Sequence, residues 1–128
     1  MRRLLKAYVK NERGSQAIEF LALFPLMLLS ILLIWQIGLI SFSLVVAESA
    51  ARDGARAAAI HDGEWQAVAR KSAAGIKIVD VRGGPGTDEA EVILDVKAPI
   101  VKLPLIVDID FTFTVDAVMP MEEKPDED

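Results

Sequence analysis

The chain is 128 residues long, which allows one domain plus one further element. It carries 14 Lys and Arg against 19 Asp and Glu, for a formal net charge of −5, and it contains no Cys and one His. Without Cys the chain cannot form disulfides, Cys-ligated zinc sites or thiol nucleophiles, and one His leaves little material for a His-based triad. We therefore expect a protein that is not an enzyme, that has no cofactor or metal and that, being acidic, does not bind nucleic acid.

Residues 1–14 form a basic leader. They contain five Lys and Arg against one acidic residue, Glu12, so their local balance is +4 and that of the remaining residues is −9. A short basic flank beside a membrane span stays in the cytoplasm. We therefore expect a cytoplasmic leader and, on the far side of the membrane, an acidic region that avoids anionic lipid headgroups.

Residues 20–47 contain no Asp, Glu, Lys or Arg. Such a run exceeds the roughly 20 residues that a helix needs to cross a bilayer. Lipid favours a helix because it offers backbone groups no water to bond to. We predict one long helix over residues 15 to about 59, of which residues 15–47 are transmembrane. The alternative is a buried helix of a soluble core, although such helices rarely stay uncharged over so many residues.

Beyond residue 47 the predicted helix changes character. Small residues recur at spacings of three and four and so share one face, while Glu48, Arg52 and Arg56 follow another face at spacings of four. Small side chains let another backbone approach closely, so this face is predicted to pack against the head or a neighbouring subunit. The alternative is an Ala-rich helix in solvent. The small-residue face consists of Ala47, Ala50, Ala51, Gly54, Ala55 and Ala58.

Residues 48–120 are predicted to form a small extracytoplasmic α+β head. A short helix is expected over about residues 62–74, with Asp62 as its N-cap and Gly75 at its C-terminal cap. The last residues, 121–128, are rich in acidic side chains and are predicted to be a disordered, solvating tail.

Three segments of the head have the composition of strands. They are residues 76–82, residues 91–97 and residues 107–117, and residues 83–86 mark the turn between the first two. A sheet with one buried face is usually antiparallel, so we predict an antiparallel sheet of three to four strands. In the last segment apolar residues alternate with Asp and Thr. Its predicted buried face consists of Val107, Ile109, Phe111, Phe113, Val115 and Ala117.

The junction between leader and span is unusual. Gly14 closes the leader and is followed by Ser-Gln-Ala-Ile-Glu, so Glu19 is the fifth residue after it. An acid at the start of a membrane span is costly and needs a reason. The junction resembles a prepilin peptidase site, in which cleavage follows a Gly and the fifth mature residue is Glu. Type II secretion pseudopilins and ordinary type IV pilins match it in part, since they usually carry Phe-Thr-Leu-Ile-Glu after the Gly.

Over about residues 12–60 the chain more closely resembles the TadE family. Members typically read Arg-Gly, a small or polar pair, an apolar pair and Glu-Phe. A Leu-rich span with an early Pro follows, and then an Ala-Ala-Arg-x-Gly-Ala-Arg-x-Ala stretch. The matching residues here are Arg13, Gly14, Glu19, Phe20, Pro25 and the stretch over residues 50–58.

The resemblance implies a pilin-like pseudopilin, or minor pilin, in the assembly or structure of a Tad (tight adherence) pilus. It implies cleavage by a prepilin peptidase between Gly14 and Ser15, and partners among other pilins and pseudopilins, Tad assembly proteins and the membrane. It assigns Glu19, Phe20 and Pro25 to subunit assembly. The implied location is the inner cell membrane, in a single pass with a cytoplasmic N-terminus, or the pilus fibre.

Two features of this interpretation have a physical account. In the pilin scheme Glu19 faces a mature N-terminal amine inside an apolar bundle, and opposite charges at 4–6 Å favour both ionised forms. Without the resemblance, Glu19 is an acid at a helix start, stabilised by the helix dipole. Pro25 either kinks the helix or is simply tolerated within a membrane bundle.

The sequence leaves two alternatives open for the whole chain. In the first, the protein is a signal-anchored envelope protein whose leader is not cleaved and whose head binds a protein partner. In the second, secretory cleavage near Ala47 or Ala51 releases a soluble head. Cleavage of the leader separates the pilin interpretation from the first alternative, and cell fractionation separates it from the second.

Overall fold

The computed structural model describes residues 12–102 and 109–123, with side chains from residue 14 onward. The predicted leader lies outside the described residues as far as residue 11, and the predicted tail lies outside them from residue 124. The described chain forms two helices and three strands. In chain order these are α1 (Glu12–Ala59), α2 (Trp65–Ser72), β1 (Lys77–Pro85), β2 (Glu89–Lys97) and β3 (Thr112–Pro120).

Helix α1 contains the whole uncharged run. Over Gly14–Ala59 it is long and apolar enough to cross a membrane, and none of its most apolar 18-residue stretch is buried. A core helix of a soluble protein would bury such a stretch, since large apolar side chains are usually inside. Helix α1 therefore fits a single-pass membrane protein.

The chain divides into two compact units, Met1–Trp35 and Gln36–Asp128. The described part of the first unit is the N-terminal part of α1. The second unit contains the rest of α1 together with α2 and the three strands. The packing of the head thus includes helix residues from Gln36 onward, whereas the sequence placed the start of the head at residue 48.

The three strands form one antiparallel sheet in the order β1-β2-β3. Its register places Leu94 of β2 opposite Val81 of β1 and opposite Val115 of β3. Strand β1 carries a bulge at Val79, which has no partner between Ile78 and Asp80. The predicted α+β fold with an antiparallel sheet is confirmed.

One face of the sheet is buried beneath the two helices. Val92, Leu94 and Val96 alternate along β2 and are the largest fully buried side chains. Trp65 and Ala69 of α2 belong to the same core. Burial of a side chain of this size contributes about 1.5–3 kcal/mol, so the middle strand is the main apolar contribution to the head.

The turn between β1 and β2 lies later than predicted. Residues 83–86 were expected to form it, but β1 continues to Pro85, which pairs with Ala90. The turn itself is closed by a hydrogen bond from the Gly86 N–H to the Glu89 carbonyl at 2.9 Å.

Gly83 and Gly84 lie within β1 because the sheet requires glycine there. Their φ angles are +98° and +137°, a region that other residues rarely adopt. A Cβ on Gly83 would overlap the Glu91 carbonyl oxygen, and one on Gly84 would lie 3.2 Å from Cζ2 of Trp65. The two glycines therefore allow close approach to β2 and to the Trp65 ring.

The predicted caps of the short helix are wrong. The N-cap is Glu64, and the Asp62 carboxylate instead accepts a hydrogen bond from the Glu64 N–H at 2.9 Å. Asp62 therefore stabilises the turn before the helix. The C-cap is Ala73, while Gly75, with φ +93°, lies two residues further on and turns the chain towards β1.

The third strand begins later than predicted. Strand β3 starts at Thr112, and Val107 and Asp108 lie outside the described residues. Ile109 and Phe111 were expected on the buried face, but they are 59% and 53% exposed.

The partner strand explains this late start. The Ala98 N–H donates one further hydrogen bond to the Phe111 carbonyl at 2.8 Å. The next residue, Pro99, has no N–H with which to continue the ladder. The side chains of β3 that pack on the core are Phe113, Val115, Ala117 and Met119.

The start of the predicted tail is joined to the head. The Met121 N–H donates to the Asp88 carbonyl at 2.8 Å, and the Glu122 N–H donates to the Ala59 carbonyl at 3.1 Å. The Glu122 carbonyl also lies 3.3 Å from Nε2 of His61, in the break after α1. The first contact joins the end of β3 to the turn before β2, and the other two join it to the end of α1.

Candidate functional site

The predicted processing site, Gly14 and Ser15, lies in the first turn of α1. Both residues are exposed. A Cβ on Gly14 would have no neighbouring atom within 4 Å. Packing within the described chain therefore gives no reason for glycine at this position.

Glu19 and Phe20 lie on α1 one turn beyond Gly14, and both are exposed. The Phe20 ring contacts Phe24, with ring centroids 6.2 Å apart at a tilt of 39°. Such tilted aromatic contacts lie in the favourable range of separation. An exposed carboxylate and a large apolar surface thus adjoin at the start of the span.

Pro25 lies inside α1, which remains helical through it. Its ring has no N–H, so the carbonyl of Leu21 loses its usual donor within the helix. An apolar hollow adjoins the ring. It is lined by Pro25, Leu28, Leu29, Ile31, Leu32 and Trp35.

The small-residue face is buried in the head. Its five alanines are fully buried and belong to the same core as β2. At Gly54 the fit is closest, because a Cβ there would lie 2.8 Å from the Ala69 Cβ and 3.3 Å from Cγ1 of Val92. Helix α1 therefore approaches both α2 and β2 through this face.

The charged face of α1 is exposed. Arg52 and Glu48 form an ion pair at 3.2 Å, with both side chains about half exposed. A mostly polar groove lies between this pair and β3. Its other lining residues are Leu44, Thr114, Val115 and Asp116. Thr114 also donates a hydrogen bond from Oγ1 to Asp95 at 2.7 Å.

The sequence analysis missed Gln36, which joins α1 to the loop after β2. Its Nε2 donates to the Pro99 carbonyl at 2.6 Å, and its Oε1 accepts from the Val101 N–H at 2.8 Å. The sequence did contain a signal for this role of Gln36, because a polar amide inside an uncharged, membrane-length run needs a hydrogen-bond partner. Ser43, two turns further along, is likewise polar and only 2% exposed.

An ion pair lies at the end of the sheet from which the loop after β2 leaves. Lys97, the last residue of β2, lies 2.8 Å from the Asp110 carboxylate. This hydrogen bond and the charge of Lys97 lower the pKa of Asp110, and the charges of Lys102 and Lys77 act in the same direction. Over residues 12–102 and 109–123, no group of three or more His, Cys, Asp or Glu is placed to hold a metal.

A protein-family comparison matches the N-terminal part of the chain. The model of the TadE family, described as TadE-like protein, matches residues 14–56. No curated protein and no solved structure matches the chain. The match confirms the resemblance found in the sequence: residues 14–56 are TadE-like, and the family suggests a role associated with a Tad pilus.

Proposed function

We propose that this protein is a pseudopilin, or minor pilin, that acts in the assembly or structure of a Tad pilus. In this proposal it is anchored in the inner membrane by α1, with its N-terminus in the cytoplasm and its head outside. Its partners are other pilins and pseudopilins, Tad assembly proteins and a prepilin peptidase.

One observation carries the proposal: the TadE match begins at Gly14 and ends at residue 56, within the small-residue helix. It thus starts at the glycine after which a prepilin peptidase would cut. Cleavage there would remove the leader and leave the apolar helix on the product. The mature chain would remain in the membrane or enter a helical fibre through this helix.

The exposed part of α1 supports such an assembly role. Because the small-residue face is already covered by the protein's own head, the exposed apolar side chains of α1, which run from Ile18 to Val45, are the ones left for lipid or for neighbouring spans. In such an apolar bundle an unpaired Glu19 carboxylate would be costly. The amine that cleavage exposes on Ser15, of the same or a neighbouring chain, would supply the opposite charge.

Cleavage can be tested by intact mass after the full chain is made together with its prepilin peptidase. We expect loss of the 14 leader residues and a new N-terminus at Ser15. Gly14→Val should abolish this processing. Gly38→Val is a matched control, because a Cβ at Gly38 also has no neighbour within 4 Å. A leader that stays in place, or cleavage that Gly14→Val does not affect, would favour the signal-anchored alternative.

The role of Glu19 can be separated from cleavage. We expect Glu19→Gln to be processed normally yet to reduce incorporation into pili or into complexes with other pilins, because the neutral amide cannot offset the Ser15 amine. Normal assembly by Glu19→Gln would remove Glu19 from the mechanism while leaving the processing site intact.

A further inference from the structure

The two edges of the sheet differ in how well they are protected from pairing. Strands β1 and β3 are the edges, because β2 lies between them. Strand β1 carries the bulge at Val79, two glycines with positive φ and Pro85. Bulges and prolines protect an edge from pairing with another strand. Strand β3 is regular, because Thr112–Pro120 pairs with β2 without a shift of register and its one proline stands at its end. Strand β3 is therefore the edge that is open to a further strand.

The pairing with β2 determines which backbone groups β3 presents along its free edge. The Ala98 N–H donates to the Phe111 carbonyl, so the register places every second residue from Phe111 onward in a hydrogen-bonded pair with β2. The residues between them direct their N–H and C=O groups away from β2. These residues have exposed side chains and are Thr112, Thr114, Asp116 and Val118. Their backbone groups form a ladder of donors and acceptors for an extended chain.

The groove between α1 and β3 adjoins this free edge. An added strand would turn one row of its alternating side chains towards α1. On that side Leu44 is 41% exposed, and the methylene groups of Glu48 and Arg52 line the groove beside it. The groove therefore fits a strand that presents apolar side chains of moderate size to α1.

An unpaired charge lies in the middle of the free edge. Among the residues that the structure describes, the Asp116 carboxylate has no hydrogen bond or ion pair, whereas Asp95 on the same face of the sheet accepts a hydrogen bond from Thr114. The nearby Arg52 is already paired with Glu48. Opposite charges directly across two strands stabilise their pairing, and like charges weaken it. The edge therefore favours a strand with a basic residue opposite Asp116.

We propose that the free edge of β3 binds an extended segment of another protein by β-strand addition. The segment hydrogen-bonds to the outward-facing backbone groups of β3, presents apolar side chains to the groove and places a Lys or Arg opposite Asp116. A second copy fits less well, because its own β3 would bring Asp110 and Asp116 to the edge. Residues 103–108 of the same chain contain no Lys or Arg. The proposal concerns the head alone and is independent of any role in a pilus.

The first test asks whether the edge is free, by amide hydrogen exchange of the full chain in detergent micelles without a partner. The amides of Thr114 and Asp116 should exchange much faster than those of Val115 and Ala117, which bind β2. Protection of Thr114 and Asp116 in the monomer would overturn the proposal, because the chain itself would then cover the edge. Protection that appears only as the protein concentration rises would overturn it in favour of a second copy.

The second test adds a peptide strand as a probe. The peptide is Thr-Val-Thr-Val-Lys-Val-Thr-Val-Thr, blocked at both ends, and it should slow exchange of the Thr114 and Asp116 amides. Val118→Pro removes one outward-facing N–H and leaves the ladder to β2 intact, so it should weaken binding by about fivefold or more. Val118→Thr is the matched control, because it retains the N–H and should bind as the native chain does. Equal binding by the two variants, or no binding to a freely exchanging edge, would overturn strand addition.

The third test concerns the charge of the partner. A peptide with Glu in place of its central Lys should bind the native chain about threefold more weakly, because an exposed charge pair contributes little and like charges repel. Asp116→Lys should reverse the order of the two peptides. This reversal would support the assigned register even if the substitution weakened binding of both. An unchanged order in Asp116→Lys, or equal binding of both peptides to the native chain, would overturn the choice of a basic partner strand.

Discussion

The two parts of helix α1 have different determinants although they share one continuous helix. Most of residues 14–35 are apolar and exposed. Residues 36–59 also carry exposed apolar side chains as far as Val45, but they present in addition a face of small side chains that belongs to the buried core of the head. The structure of the second part is explained by contacts inside the chain. The composition of the first part fits a membrane span, which contacts inside the chain do not explain.

Glycine illustrates the same difference. At Gly54 a Cβ would collide with Ala69, so the head itself requires glycine. At Gly14 and Gly38 a Cβ would meet no atom within 4 Å. Among the described residues no contact requires glycine at position 14, and the proposed function assigns this glycine to recognition by a prepilin peptidase.

The largest expected effect comes from Leu94, the largest fully buried side chain of the core that contains the small-residue face. Leu94→Ala should lower the free energy of unfolding of the head by about 2–5 kcal/mol, because Leu94 is fully buried. Leu33→Ala on the exposed part of α1 is the control and should leave head stability unchanged. The unfolding free energy of both variants is measured in detergent by denaturant unfolding, followed by the fluorescence of Trp65. Both variants also carry Trp35→Phe, so that Trp65 is the only fluorescent tryptophan. Equal losses for the two variants would contradict the division of α1.

A second experiment compares the two helix glycines directly. Gly54→Ala should destabilise the head by about 1–3 kcal/mol through overpacking, in spite of a gain in helix propensity of up to about 1 kcal/mol. Gly38→Ala should be neutral or stabilising, since its new Cβ meets no neighbour. The same unfolding measurement gives the sign of the change in unfolding free energy for each variant. A stabilising Gly54→Ala would show that α1 does not approach α2 closely.

Part of this architecture follows from the sequence. The uncharged run has the length of a membrane span, and the alternation along β2 defines its buried face without further information. The small-residue face was also visible as a spacing of three and four. What the sequence left open was the partner of that face, because a neighbouring subunit and the protein's own head require the same small side chains.

Other features could not be predicted because they depend on distant contacts. Gly83 and Gly84 have the composition of a turn, yet they lie in β1 where Glu91 and Trp65 approach too closely for a side chain. The period-two pattern suggested an early third strand, and only the pairing shows that Pro99 ends the ladder. Local propensity contains neither kind of information.

The contact between α1 and the loop after β2 can be tested at Gln36. Gln36→Leu removes the hydrogen bonds to Pro99 and Val101 and should cost about 1 kcal/mol, since the Pro99 carbonyl loses its part-buried donor. The clearest measurement is hydrogen exchange of the Val101 amide, which should become faster. Gln66→Leu, on the exposed side of α2, is the control. Unchanged protection of Val101 would mean that the loop is held by other contacts.

The smallest expected effect lies at the ion pair between Lys97, the last residue of β2, and Asp110. Because Lys97 lowers the pKa of Asp110, the ionised carboxylate is favoured in the folded state, and its contribution is present above the unfolded pKa of about 3.9. That contribution is lost as the pH falls through the lowered folded pKa. The stability difference between the native chain and Asp110→Asn should therefore be small at pH 7, shrink in acid and shrink with added salt, because the pair is exposed. Asp116→Asn on β3 is the control, and chemical unfolding at pH 7 and pH 3 is the measurement. A difference that grows in acid would contradict the assigned direction of the pKa shift of Asp110, and with it the ion pair with Lys97.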